Sequence, residues 1–288
     1  MDRIISLIRY RFFLFAGIFP YLLGQAIAFS FRKSLNWHYF CLGFLGIFLV
    51  LIGVEMFNEY FDAKEGGDRI FLEEKPEVPD YFFILGILVF MLAFFIGVYL
   101  TFQIGWPILL FSFLGFLGAY FYVGPPIRWA YRGLGELVIA LSYGPFMVLG
   151  SYYLQTKRID VLPLWICLIL GLLIFSLGIA NEIPDYYQDK LVGKRNLVVR
   201  LGRKNAVKLF SFILFLVFLV LSLGIWLGVF PFLTIACFLL LPLALRSIII
   251  ARTHYDSPLD FLPAIRITLF IYIIIVGFLS ISCWGGQR

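Results

Sequence analysis

The sequence predicts an all-α, polytopic membrane protein with nine transmembrane helices. Three observations carry that prediction. The 288 residues are 62% hydrophobic and 19% aromatic but only 14% charged, with a mean hydropathy of +0.98; ordinary soluble domains run about 45–50% apolar and about 25% charged. The apolar residues fall into runs of about 20, the length that crosses about 30 Å of hydrocarbon. Charges of both signs collect between those runs. Too little polar surface remains to coat a globule. That excludes a soluble enzyme, a disordered chain and a nucleic-acid-binding domain, despite a net charge of +6.

The runs cover 12–31, 39–57, 81–101, 107–124, 134–155, 163–183, 209–229, 231–251 and 264–283. The first follows Arg3, Arg9 and Arg11. It is too long for a signal segment and has no clear small-residue cleavage site, so it reads as a retained span. The second passes without a clean stop into Glu55, Asn58, Glu59, Asp62 and Glu65, and Gly66, Gly67 and Asp68 follow. The third and fourth open on Tyr81 and Trp106, which with Trp37, Tyr39 and Trp165 read as interfacial anchors. Between the fourth and fifth lie Tyr122, Arg128, Tyr131, Arg132 and Glu136; the spacing of four pairs Arg132 with Glu136. The sixth passes into Asn181, Glu182, Pro184, Asp185 and Asp189, with Gly193, Lys194 and Arg195 beyond. Pro184 removes a helix donor, which predicts a kink or a new short helix with Asp185 in its first turn. Pro231 alone divides the seventh run from the eighth, and Gly224 and Gly228 form a GxxxG pair that predicts close packing. Cys41, Cys167, Cys237 and Cys283 lie in apolar runs without ligand spacing and read as small core residues.

Nine spans assign every loop to a side. Of the 23 Lys and Arg, only Arg32, Lys33, Lys157, Arg158 and Arg288 fall on the face opposite the N-terminus. The Lys/Arg bias points the richer face to the cytoplasm. That face also holds every acid but Asp160. Gathering both signs at one end is more than orientation requires and predicts a polar chamber there.

Two acidic motifs reach that face. Both read N-E-x-x-D, one from Asn58 to Asp62 and the other from Asn181 to Asp185. Residues four apart share a helix face, so Asn58 aligns with Asp62, and Asn181 with Asp185 and Asp189. Acids inside apolar helices turn to the bundle interior and need a partner. The few nearby basic residues cannot neutralise them all. Mg2+ takes hard oxygen ligands and is held by one or two carboxylates plus substrate phosphates, so two opposed sets of oxygens suit Mg2+ and a diphosphate. Arg128 and Arg132 are the favoured phosphate ligands, with Lys64 and Lys194 beside the motifs; Arg binds phosphate as a planar fork and Lys as a point charge.

These residues resemble the UbiA superfamily of intramembrane prenyltransferases, over nearly the whole chain. The stretch N-E-Y-F-D-A-K-E-G-G-D, from Asn58 to Asp68, is similar to the N-D-x-x-D-x-x-x-G-x-D form of the MenA-type branch (1,4-dihydroxy-2-naphthoate polyprenyltransferase). The segment from Tyr131 to Glu136, then Tyr143 to Pro145 and Gly150 to Tyr153, is also MenA-like. Glu59 and Glu182 stand where Asp is frequent, and the loop from Asp68 to Asp80 is short and acidic.

The resemblance implies one transmembrane prenyltransferase domain over 1–288: nine helices in a UbiA-type bundle around a central cavity, with pseudo-repeated halves at about 1–124 and 125–251 and a last helix at 264–283. It implies two Mg2+ ions held by Asn58, Asp62 and Asp68 and by Asn181, Asp185 and Asp189. Asp62, Asp185 and Asp189 are the expected catalytic residues. Asn58, Lys64, Tyr122, Arg128, Arg132, Asn181 and Lys194 are the expected substrate-binding set. The substrates would be a polyprenyl diphosphate and a lipid-soluble or aromatic acceptor such as dihydroxynaphthoate, in a multi-pass cell-membrane protein whose site faces the cytoplasm. Membrane lipids are the other expected partners, with no nucleic acid and no obligatory protein. A glyceryl phosphate and 4-hydroxybenzoate are the alternative acceptors. The competing class is an ion-coupled transporter; there, inverted repeats would send the two motifs to opposite faces.

Overall fold

A computed structural model describes residues 2–65 and 78–285, with side chains from Gly17 onward apart from those of Asp62, Ala63 and Glu65. Twelve helices form among the described residues: α1 Asp2–Arg32, α2 Trp37–Glu65, α3 Tyr81–Ile104, α4 Trp106–Val123, α5 Gly135–Leu141, α6 Met147–Thr156, α7 Val161–Glu182, α8 Tyr186–Leu191, α9 Leu197–Leu201, α10 Arg203–Trp226, α11 Leu241–His254 and α12 Pro258–Gly285. No strand forms among them. In hydrocarbon, helices satisfy their own backbone donors and acceptors, which sheet edges cannot do.

Among the described residues, eight helical stretches are long and apolar enough to cross a membrane. They answer to the second through ninth expected runs, and α1 covers the first. The chain is an integral membrane protein.

The fifth span departs from a simple rod. It is built from α5, a wider π turn over Ser142–Phe146 and α6. Pro145 lies inside the turn, where its missing N–H breaks the α ladder. The turn packs on α7. A Cβ at Gly144 would stand 2.8 Å from the Gly171 Cα and 3.0 Å from the Cys167 carbonyl oxygen. Backbones approach this closely only where side chains are small, and that packing holds helices together where lipid is as apolar as the core.

Among the eight described spans, α7 is the most buried and α4 the least. Around α7 pack α1, α5, α6, α10 and α12, and its Ile166, Leu170 and Leu173 lie in the main core. Smaller clusters, Tyr21 with Leu100 and Leu154 and Val54 with Phe57 and Phe90, join α2, α3 and α4 to that body. The Gly224–Gly228 pair makes no helix seam: Gly224 packs under Phe230, and Gly228 lies beyond the end of α10.

Candidate functional site

The two motifs occupy the ends of α2 and α7. Asn58 is buried, and its side-chain oxygen has no hydrogen-bond partner among the described residues. Leaving such an acceptor dry is costly, and the arrangement suits an oxygen ligand to a cation. Further along α2, the Lys64 ammonium donates to the Tyr60 hydroxyl, and also to Asp80 Oδ1 at 3.2 Å. The Tyr60 bond, then Asp80, raises the Lys64 pKa; the same Lys64 contact holds the Asp80 carboxyl below its usual range. Asp62 lies within α2, but its side chain is outside the described residues, as is Asp68 altogether.

The second motif shows how Pro184 acts. α7 stops at Glu182, a turn covers 183–185, and α8 begins at Tyr186 with Asp185 as its cap residue. Asp185 is exposed and Asp189 is buried. The backbone N–H of Asp189 donates to the Asp185 carbonyl at 2.9 Å. Lys194 Nζ stands 3.3 Å from Glu182 Oε2 and 3.4 Å from Asp189 Oδ1. The Asn196 amide donates to Asp189 Oδ2 at 2.6 Å and to Glu182. Burial first, then the contact with the Glu182 carboxyl, holds the Asp189 carboxyl above its usual range, while Lys194 pulls it down. Asn181 is half-buried on the last turn of α7.

The basic segment follows α4. Arg128 has a left-handed backbone, with φ of 54°, and its guanidinium lies 5.9 Å from the centre of the Tyr131 ring. Arg132 donates to the Pro126 carbonyl at 3.2 Å. The expected pairing of Arg132 with Glu136 does not form. Glu136 is buried and accepts from the Leu197 backbone N–H at 3.0 Å. The 3-10 turn over Trp129–Arg132 intervenes before α5, so the two residues never share the continuous helix that the spacing assumed. Tyr122, half-buried at the end of α4, comes close to Gly135. Sequence reasoning missed Asn196, whose only signal is its place just before a short apolar helix, where Asn is a favoured cap.

An apolar groove of about 630 Å³ between α2 and α3, lined by His38, Leu49, Leu92 and Tyr99 among others, lies toward the other end of α2 from Asn58.

Residues 17–274 match the UbiA prenyltransferase family. The chain belongs to that family. It is 28% identical over 203 residues to a 1,4-dihydroxy-2-naphthoate octaprenyltransferase of Bacillus subtilis, an alignment that takes in 68% of this chain and 65% of that protein. Over 258 residues it is 24% identical to a 2-carboxy-1,4-naphthoquinone phytyltransferase of Synechocystis, covering 84% of this chain and 80% of the relative. Both relatives are named for naphthoate or naphthoquinone chemistry, in keeping with the MenA-type resemblance of this UbiA family member. In three dimensions it resembles a digeranylgeranylglyceryl phosphate synthase (TM-score 0.67, 18% identity, 99% of this chain and 100% of that one). It also resembles a UbiA homologue of Archaeoglobus fulgidus bound to GPP and Mg2+ (TM-score 0.62, 15% identity, 96% and 99%). At these identities the likeness speaks for the fold.

Proposed function

We propose that the protein transfers a polyprenyl group from an allylic diphosphate to an aromatic naphthoate-type acceptor, releasing diphosphate. One observation carries the reading: Glu182, Asp189, Lys194 and Asn196 gather within bonding distance where an apolar span ends, in a chain whose family is prenyltransferases. The relatives named for naphthoate chemistry favour that acceptor over a glyceryl phosphate or 4-hydroxybenzoate.

The oxygen donors suit Mg2+: the buried Asn58 carboxamide oxygen lacks a partner among the described residues, and Asp185 is an exposed carboxylate. Asn58, Asp62 and Asp68 would hold one ion, and Asn181, Asp185 and Asp189 a second. Bound there, Mg2+ supplies Lewis-acid stabilisation of the charge that develops on a departing diphosphate. The chain's own cations add to this: Arg128, Arg132, Lys64 and Lys194 neutralise phosphate oxygens. Tyr60, Tyr122 and Tyr186 offer ring faces that attract an allylic cation. The surrounding apolar helices keep water from capturing that cation. The Lys/Arg bias supports a site open to the cytoplasm.

Purified protein given geranylgeranyl diphosphate, Mg2+ and a panel of acceptors will yield prenylated naphthoate by mass spectrometry, with matching pyrophosphate release. EDTA, Asp62→Ala and Asp185→Ala will each abolish both while the protein still folds. Full activity in any of these removes the metal–diphosphate assignment. Substrate flux across vesicles without product would make the chain a transporter.

A further inference from the structure

Glu136 is an acid 3% exposed to solvent, in the first turn of a membrane span. Burying a carboxylate there is costly, and the motifs assign it nothing. Its contacts are specific. Oε1 accepts from the backbone N–H of Leu197, 61 residues away, at 3.0 Å. Leu197 opens α9, and Asn196 caps that helix by accepting from the Val199 N–H at 2.8 Å. The same Asn196 holds Asp189 and Glu182. Glu136 is itself seated against α7, since a Cβ at Gly178 would meet its Cβ at 3.4 Å. One end of the bond is thus fixed to the helix that carries Asn181 and Glu182, and the other grips the loop that returns to Asp189.

We propose that Glu136 is a positioning residue, which fixes the second acidic motif by anchoring Leu197 and, through Asn196, the Asp189 carboxylate. It acts as a hydrogen-bond acceptor and touches no reacting atom. The kinetic part of this inference rests on the prenyl-transfer reading above; the structural part does not.

Four variants of the full-length protein test it. Glu136→Ala removes the acceptor, and Glu136→Gln keeps an oxygen in its place. Leu197→Pro removes the donor, along with the leucine side chain: proline suits the first position of a helix, and Asn196 already has the extended backbone (ψ 176°) that a following proline requires. Leu197→Ala controls for the lost side chain. Hydrogen–deuterium exchange over residues 186–201 is the first readout, and KM and kcat for geranylgeranyl diphosphate are the second. Glu136→Ala and Leu197→Pro will speed exchange in that segment and raise KM about tenfold, as befits one lost buried hydrogen bond, with a smaller change in kcat. Glu136→Gln and Leu197→Ala will stay near wild type. Unchanged exchange and KM in Leu197→Pro overturns the proposal, and that variant decides even where Glu136→Ala fails to fold. Damage in Glu136→Gln equal to that in Glu136→Ala also overturns it, because the residue would then act by charge. A wild-type protein without prenyl transfer counts against the functional reading, while the exchange data still judge Glu136.

Discussion

Arg128 combines a left-handed backbone with a long cationic side chain. At φ of 54° a residue with a Cβ is disfavoured by about 1 kcal/mol or more, and glycine would relieve it. Arg128→Gly therefore separates strain from function. The variant should match or exceed the wild-type melting temperature in detergent, while its KM for prenyl diphosphate rises at least about tenfold, the value of one charge-assisted hydrogen bond. A lowered melting temperature with unchanged KM would make Arg128 a structural residue. The residues nearby show what spacing can and cannot tell. Lys194 stands beside the second motif in the sequence and lies between Glu182 and Asp189 in space. Glu136 has Arg132 four positions away and ignores it, because Arg132 ends a 3-10 turn and the left-handed Gly133 breaks the chain before α5 begins.

At the scale of elements, the long apolar runs announce themselves and their interruptions mostly do as well. Pro184 ends α7, as its missing donor requires, and a short helix follows. Pro145 is less legible. Its consequence, a π turn seated on α7, depends on Gly171 being opposite, which no local pattern reveals. Packing at that contact is tight enough to test. Gly144→Ala puts a methyl group 2.8 Å from the Gly171 backbone, where only backbone could yield. We expect a loss of about 1–3 kcal/mol from overpacking, read as a lower melting temperature. Gly115→Ala meets open space and should leave stability unchanged or slightly higher through helix propensity. Equal melting temperatures for the two variants would mean that α7 moves aside freely.

The whole molecule has a direction. The Lys/Arg asymmetry between its two faces predicts that the loop holding Arg195 is cytoplasmic and the one holding Lys157 is external. In a Cys41→Ser background, Lys157→Cys should react with a membrane-impermeant maleimide in intact cells, and Arg195→Cys only after lysis. The reverse pattern would invert the protein and place both acidic motifs outside. The sequence by itself determined the class, the spans and the family resemblance, because hydropathy, charge placement and motif spacing are properties of consecutive residues. Only the tertiary structure decided which polar groups meet. Glu136 with Leu197, Asn196 with Asp189 and Glu182, and Gly144 with Gly171 join segments far apart in the chain or separated by turns. Buried polar atoms must find partners wherever the fold brings them, and that geometry is written in no local pattern.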